Sequence, residues 1–305
     1  MNIILQYLSK SAKAHAEKFE SIRNTEFSRA ASDHEIPESF FDISYTGADG
    51  TALAADIYRP TVRPAKLPVI ILVHGGGLFT GTRKNNRLFC ELAAGKGFLL
   101  YALQYRLIGE ADAFSEISDI CAGLSFVSNT LEQYGGDPGR VFLLGESAGA
   151  FLALYAAAAV RSKKLRRLLG CRPPSLNLCG FIAFSGMFYT ARNDVIGMVY
   201  KKALYGKHSR DKKFLKYMDP AHPEVLTNLP PLFLTSSDAD FLKKYTLRFH
   251  KAAKAAGHPC TLIYYPEGKE LTHAFVSLRP LLYESKKTMD ALALWMKELP
   301  PHSGS

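Results

Sequence analysis

Ser147 stands in Gly145-Glu146-Ser147-Ala148-Gly149, and a glycine two positions either side is what a nucleophilic serine at a sharp turn needs. Val141-Phe-Leu-Leu144 runs into the turn as a strand, and the Ala-rich stretch from Ala150 to Val160 leaves it as a helix. Strand and helix pass close together at such a turn, so a side chain at either flanking position would collide. The helix start then points its free N–H groups and positive dipole end at the serine oxygen. The bland alternative is a Gly-rich strand-to-helix turn whose serine only caps the helix.

A serine hydroxyl is a poor nucleophile at its own pKa. It needs a base to take its proton and a third group to orient that base. His273 fits the base, since it follows the apolar run Leu262-Ile-Tyr-Tyr265 and precedes a terminal helix. His222, His250 and His258 read as surface histidines. Two residues compete for the third role, Asp238 and Asp240, both just after Leu232-Phe-Leu-Thr235. One would orient His273 and the other cap the following helix. His74-Gly75-Gly76-Gly77 follows the buried run from Pro68 to Val73. Its glycines leave backbone N–H groups uncovered, as an oxyanion site requires, and the Ala148 N–H would add a donor. A flexible loop is the alternative reading of that stretch.

These groups need a scaffold that brings strand ends together. Residues 1 to 35 read as helical, with Ile4, Leu5, Leu8, Ala12 and Ala16 at helical spacing. Phe40–Tyr45 and Leu53–Tyr58 read as two strands joined by Gly47-Ala-Asp-Gly50, with Pro60 and Pro64 ending the pair. From Pro68 on, continuous apolar runs alternate with helical stretches: Arg87–Ala94, Ala111–Tyr134, Phe241–Ala256 and Leu282–Leu299. Gly135–Gly139 reads as a loop, and residues 186 to 229 show little regular pattern. Such alternation predicts α/β architecture with a mostly parallel, doubly wound sheet. Active groups at the carboxyl ends of its strands are where open sheets place their sites.

The 305 residues suit one large domain with a full core, 47% being hydrophobic. The five cysteines are scattered and odd in number, which suggests neither a disulfide framework nor a zinc site. The first ten residues carry no basic region ahead of a long apolar core, and no apolar run is long enough to cross a bilayer, so the expectation is a cytoplasmic protein. A formal charge of +10 could attract acidic partners. Much of it sits in Arg161-Ser-Lys-Lys-Leu-Arg-Arg167, however, where cations suit the end of the helix after Ser147. No nucleic-acid motif accompanies them.

With these residues set out, the chain resembles the hormone-sensitive-lipase-like branch of the α/β-hydrolase superfamily. The resemblance rests on His74-Gly-Gly-Gly77 and Gly145-Glu-Ser-Ala-Gly149, with Asp56-Ile-Tyr-Arg-Pro60, Tyr105-Arg-Leu107, Asp137-Pro-x-Arg140, Pro230-Pro231 and His273-Ala-Phe275, and it covers about residues 40 to 298. It implies an eight-stranded sheet with helices on both faces, a small cap, and a carboxylic-ester hydrolase that needs no cofactor and no metal. It implies Ser147 as nucleophile, His273 as base, Asp240 as acid, and Gly76, Gly77 and Ala148 as oxyanion donors. Thr235-Ser-Ser-Asp-Ala-Asp240 is one residue longer than usual before the acid, which leaves Asp238 open, and Ala150 stands where a further glycine is common. Residues 1–35 and 186–229 are the expected arm and cap segment of a single domain spanning 1–305.

The expected partner is a small-molecule ester with a short acyl group, such as an acetylated sugar or a small aromatic ester. No nucleic acid or membrane partner is expected, and a homo-oligomer is left open. A serine peptidase or amidase of the same superfamily, and a silent binding protein on the same fold, are the competing readings.

Overall fold

A computed structural model describes residues 3–30, 36–62, 66–172 and 176–302. Eight strands form one open sheet: β1 (Glu38–Thr46), β2 (Ala52–Arg59), β3 (Leu67–Val73), β4 (Leu99–Leu103), β5 (Gly136–Glu146), β6 (Gly180–Phe184), β7 (Leu232–Ser237) and β8 (Cys260–Tyr265). Their order is β1-β2-β4-β3-β5-β6-β7-β8, antiparallel among β1, β2 and β4 and parallel from β4 onward. The helices are α1 (Ile3–Ala30), α2 (Arg87–Gly95), α3 (Ala113–Thr130), α4 (Ala148–Arg161), α5 (Lys163–Leu169), α6 (Val195–Tyr205), α7 (Lys212–Leu215), α8 (Pro223–Leu226), α9 (Lys243–Ala255), α10 (Phe275–Leu278) and α11 (Tyr283–Glu298).

The central strands are apolar on both faces because helices cover both. Ile71 and Val73 join α3 and α4 in one core, whereas Ile70 and Leu72 join α2 and α11 in the other. Register lines up the carboxyl ends: Val73 pairs with Gly145, Glu146 with Phe184, Phe184 with Thr235, and Ser237 with Tyr265. The loops after β3, β5, β7 and β8, which carry His74, Ser147, Asp240 and His273, therefore leave one edge of the sheet.

The structure departs from the sequence reading in three places. Gly136–Gly139, expected as loop, is the first part of β5, with Gly136 paired to Leu67 ahead of a register shift. The stretch from 186 to 229 holds α6, of 11 residues, and α7 and α8, of 4 residues each and too short to show a 3.6-residue period. The basic run after α4 is its own helix, α5, capped by Ser162, and Arg166 returns to donate to the carbonyls of Ala159 and Val160 at 2.8 and 2.9 Å. That guanidinium answers the exposed carbonyls at the α4 terminus.

The arm α1 runs beside α2, α6 and α10. Glu26 holds it: its carboxylate accepts from the Leu281 N–H at 3.4 Å and lies 4.0 Å from the Arg279 guanidinium. The side chains of Ile4, Leu5, Leu8, Ala12 and Ala16, like residues 31–35 and Pro64, lie outside the described residues. Among the described residues no helix is long and apolar enough to cross a membrane.

Candidate active site

β5 ends at Glu146 and α4 begins at Ala148, so Ser147 makes the turn alone. Its φ of 51° with ψ of −117° is a strained backbone for a residue with a side chain. Neighbours hold it there. The Ser147 N–H donates to the Phe184 carbonyl and the Met187 N–H donates to the Ser147 carbonyl, both at 2.9 Å. The flanking glycines are required by close approach. A Cβ on Gly145 would stand 2.3 Å from the Ala150 Cα, and one on Gly149 would stand 2.3 Å from the His74 carbonyl oxygen.

His273 Nε2 lies 2.7 Å from Ser147 Oγ, and its Nδ1 lies 2.7 Å from Asp240 Oδ1. A carboxylate facing Nδ1 fixes the proton on that nitrogen and leaves Nε2 free to accept from the serine hydroxyl. Asp240 Oδ1 also accepts from the Leu242 N–H at 2.9 Å, and Oδ2 from the Ser236 hydroxyl at 2.7 Å. Burial works to raise the Asp240 pKa, but the His273 hydrogen bond and charge, with the Ser236 and Leu242 donors, outweigh it and hold the carboxyl below its usual range. All three side chains are buried. Asp238 goes elsewhere. It is exposed and accepts from Lys243 Nζ at 2.8 Å and Tyr264 OH at 3.0 Å. Of the two competing acids, the geometry therefore brings Asp240 to His273. After His273 the chain turns through Ala274 at φ 55°, whose N–H donates to Ser185 Oγ at 2.9 Å.

The loop after β3 lies against this turn. The Gly76 carbonyl accepts from the N–H groups of Phe79 and Thr80 and from the Thr80 hydroxyl, which closes the loop on itself. The N–H groups of Gly76, Gly77 and Ala148 donate in none of the turn, loop and cap hydrogen bonds among the described residues.

His74 is fully buried under the loop and stacks on Tyr105 at 4.3 Å between centroids. Its Nδ1 donates to the Gly75 carbonyl at 2.8 Å, and its Nε2 faces the Gln104 side-chain amide nitrogen at 3.4 Å. A neutral ring satisfies both contacts. Burial drives its pKa down to about 4, which agrees.

Sequence reasoning missed the buried supports of the site. Glu146, inside the serine motif itself, accepts at Oε2 from the Asn86 side-chain amide and the Ser277 hydroxyl, and it is 6% exposed. A polar residue locked between Gly145 and Ser147 is the one signal that could have pointed to it. Nothing in the sequence connects Asn86 or Ser277 with Glu146, because Asn86 lies just before α2 and Ser277 in α10, which meet only in the fold. The three histidines set aside take structural positions. His222 Nδ1 caps α8, His258 Nε2 contacts the Pro230 carbonyl at 3.1 Å, and His250 lies within α9. Among the described residues no group of three His, Cys, Asp or Glu side chains could hold a metal ion.

The fold and much of the sequence have known relatives. Residues 55–246 match the family model BD-FAE. Isoprenylcysteine alpha-carbonyl methylesterase of Arabidopsis thaliana is 27% identical over 234 residues, covering 72% of this chain and 54% of that protein. The chain thus spans about half the length of the plant relatives it matches. An acetyl-hydrolase of Streptomyces hygroscopicus is 28% identical over 249 residues, 77% of this chain and 78% of its own. Among solved structures, esterase B of Lactobacillus rhamnosis, inhibited by a tributyrin phosphonate, superposes with a TM-score of 0.82 at 24% identity, covering 96% of this chain and 94% of the other. An esterase of Pyrobaculum calidifontis gives a TM-score of 0.72 at 21% identity over 97% and 98%. These likenesses establish the α/β-hydrolase fold that the sequence motifs suggest.

Proposed function

The chain belongs to the BD-FAE family, and on that premise we propose that it is a carboxylic ester hydrolase working through Ser147, His273 and Asp240. The observation that carries this reading is the continuous line of contacts from Ser147 Oγ through His273 to Asp240, each 2.7 Å long, at a strained turn. His273 takes the serine proton as Oγ attacks the ester carbonyl carbon. The carbonyl oxygen, now negative, accepts hydrogen bonds from the N–H groups of Gly76, Gly77 and Ala148. His273 then gives its proton to the departing alkoxide, and water enters through the same base to free the acid from the acyl-enzyme. Asp240 keeps the imidazole oriented and stabilises its charged form. Loss of one oxyanion donor would raise the barrier by about 3 kcal/mol.

A short acyl group is the proposed preference. The Tyr200 hydroxyl comes within 2.8 Å of where a side chain on Gly77 would begin, so the space beside that donor is limited. The name of one relative, an acetyl-hydrolase, points the same way. The cap in this reading is α1 together with the segment from 186 to 229, set on a single α/β-hydrolase domain. The test is hydrolysis of p-nitrophenyl acetate, butyrate, octanoate and palmitate beside Ser147→Ala. Activity on the short esters that vanishes in the variant is the expected result. Turnover surviving in Ser147→Ala, or faster cleavage of an aminoacyl-nitroanilide than of any ester, would overturn it.

A further inference from the structure

Resting on that reading of the site, we propose that its alcohol side is an aromatic cleft, formed by Phe241 and Phe19 beside His273, that selects esters of flat apolar alcohols. The histidine that protonates the leaving oxygen must stand within hydrogen-bond reach of it. Whatever flanks the imidazole therefore flanks the leaving alcohol. The Phe241 ring centroid lies 4.2 Å from that of His273, tilted by 37°, and the Phe19 centroid lies 6.3 Å away, tilted by 40°.

Phe241 is 66% exposed, one of the few large apolar side chains left open to solvent among the described residues. An open ring against the imidazole offers an apolar wall to whatever binds there. Its place is fixed by the triad backbone. Phe241 sits between Asp240 and Leu242, and the Leu242 N–H is tied to the Asp240 carboxylate while the Leu242 side chain enters the core. The same short turn orients the acid and presents the ring. Phe19 comes from α1, less than two turns before Glu26, whose contacts with Leu281 and Arg279 fasten the helix at this edge. The nearby cation Lys243 is already paired with Asp238 at 2.8 Å.

Two phenyl rings offer no hydrogen bond to a polar alcohol. A planar apolar alcohol would stack or pack edge-on instead. The acyl side of the substrate is unaffected by this argument, so the class is a small acyl group on an aromatic or similarly flat alcohol.

Benzyl acetate and ethyl acetate test the point, because they share the acyl group and their alcohols are of similar basicity. The expected result is a kcat/KM at least roughly tenfold higher for benzyl acetate in the native protein. Phe241→Ala should lower the benzyl-to-ethyl ratio by about tenfold, and Phe19→Ala should lower it less, in keeping with its longer distance. Leu294→Ala, another exposed apolar residue but on α11, should leave the ratio unchanged. A native ratio near one, or an equal loss on both esters in Phe241→Ala, would overturn the cleft and reduce the ring to a support for His273. Failure of the native protein on both esters would overturn the serine-ester reading beneath it.

Discussion

Asp240 reaches His273 at 2.7 Å, while Asp238, two residues earlier, turns outward to Lys243 at 2.8 Å. The division follows from the end of β7. The Ser236 and Leu242 donors converge on Asp240, so its carboxylate is buried with its oxygens satisfied. Asp238 stays exposed, beside a cation and a phenol. Replacing Asp240 by Asn would turn an acceptor facing Nδ1 into a group that favours the wrong tautomer. Asp240→Asn should reduce kcat on p-nitrophenyl acetate by on the order of 10⁴-fold with little change in KM. Asp238→Asn should stay within roughly threefold of native, since its exposed pair contributes little. Equal losses in the two variants would refute the assignment.

Glu146 should matter to stability as well as to the turn. Its carboxylate receives Asn86 and Ser277, two buried donors from segments far apart in sequence. Glu146→Ala removes their common acceptor and leaves a space beside Ser147. Unfolding in urea should show a loss of about 2–4 kcal/mol, more than a typical single hydrogen bond, because both donors lose their partner. Glu146→Gln keeps one oxygen acceptor and should recover part of that loss. A variant as stable as the native chain would mean that the contacts carry no net energy.

The chemistry of the site was more legible than its support. The G-x-S-x-G spacing and the glycine run after His74 are local, since the collisions that demand glycine lie within a few residues or one strand over. Strand and helix order could be read from apolar runs because central strands buried on both faces lack alternation. What stayed hidden depends on contacts distant in sequence. Phe241 looks like the start of a helix in one dimension, and only the fold sets it against His273 and leaves it in solvent. The first residues of β5 read as a turn because Gly135-Gly-Asp-Pro-Gly139 has turn chemistry, yet pairing with Leu67 extends the strand through it. Ser236 likewise gives no sign in sequence that its hydroxyl faces Asp240 and not Asp238.

His74 makes the folded state sensitive to mild acid. Its pKa falls from 6.5 to about 4 because burial penalises the charged ring. Between those values the unfolded chain binds a proton that the folded chain refuses, so stability rises with pH across the window. The stabilisation is complete above pH 6.5 and is lost as pH falls toward 4, by an amount of about 3 kcal/mol for this group alone. His222, His250 and His258 have lowered pKa values of the same origin and add to the slope. The measurement is denaturant unfolding at pH 7.5 and pH 5 for the native chain and His74→Gln. The variant should show a shallower dependence on pH, whatever its absolute stability. Parallel slopes would mean that His74 is already charged in the fold.

The strain at Ser147 should be recoverable by removing its side chain. A residue with a Cβ at φ 51° and ψ −117° is disfavoured by about 1–3 kcal/mol, whereas glycine occupies the mirror of an ordinary extended conformation there. Glycine loses part of that gain by making the unfolded chain more flexible, by about 0.4–1 kcal/mol. Ser147→Gly and Ser147→Ala both lack the hydroxyl and should both be inactive, so any difference between them reports on the backbone alone. Ser147→Gly should be the more stable of the two, by about 1 kcal/mol in urea unfolding. If Ser147→Ala proves equally stable, the turn is held without strain, and the serine is presented by the hydrogen bonds to Phe184 and Met187 with no opposing cost.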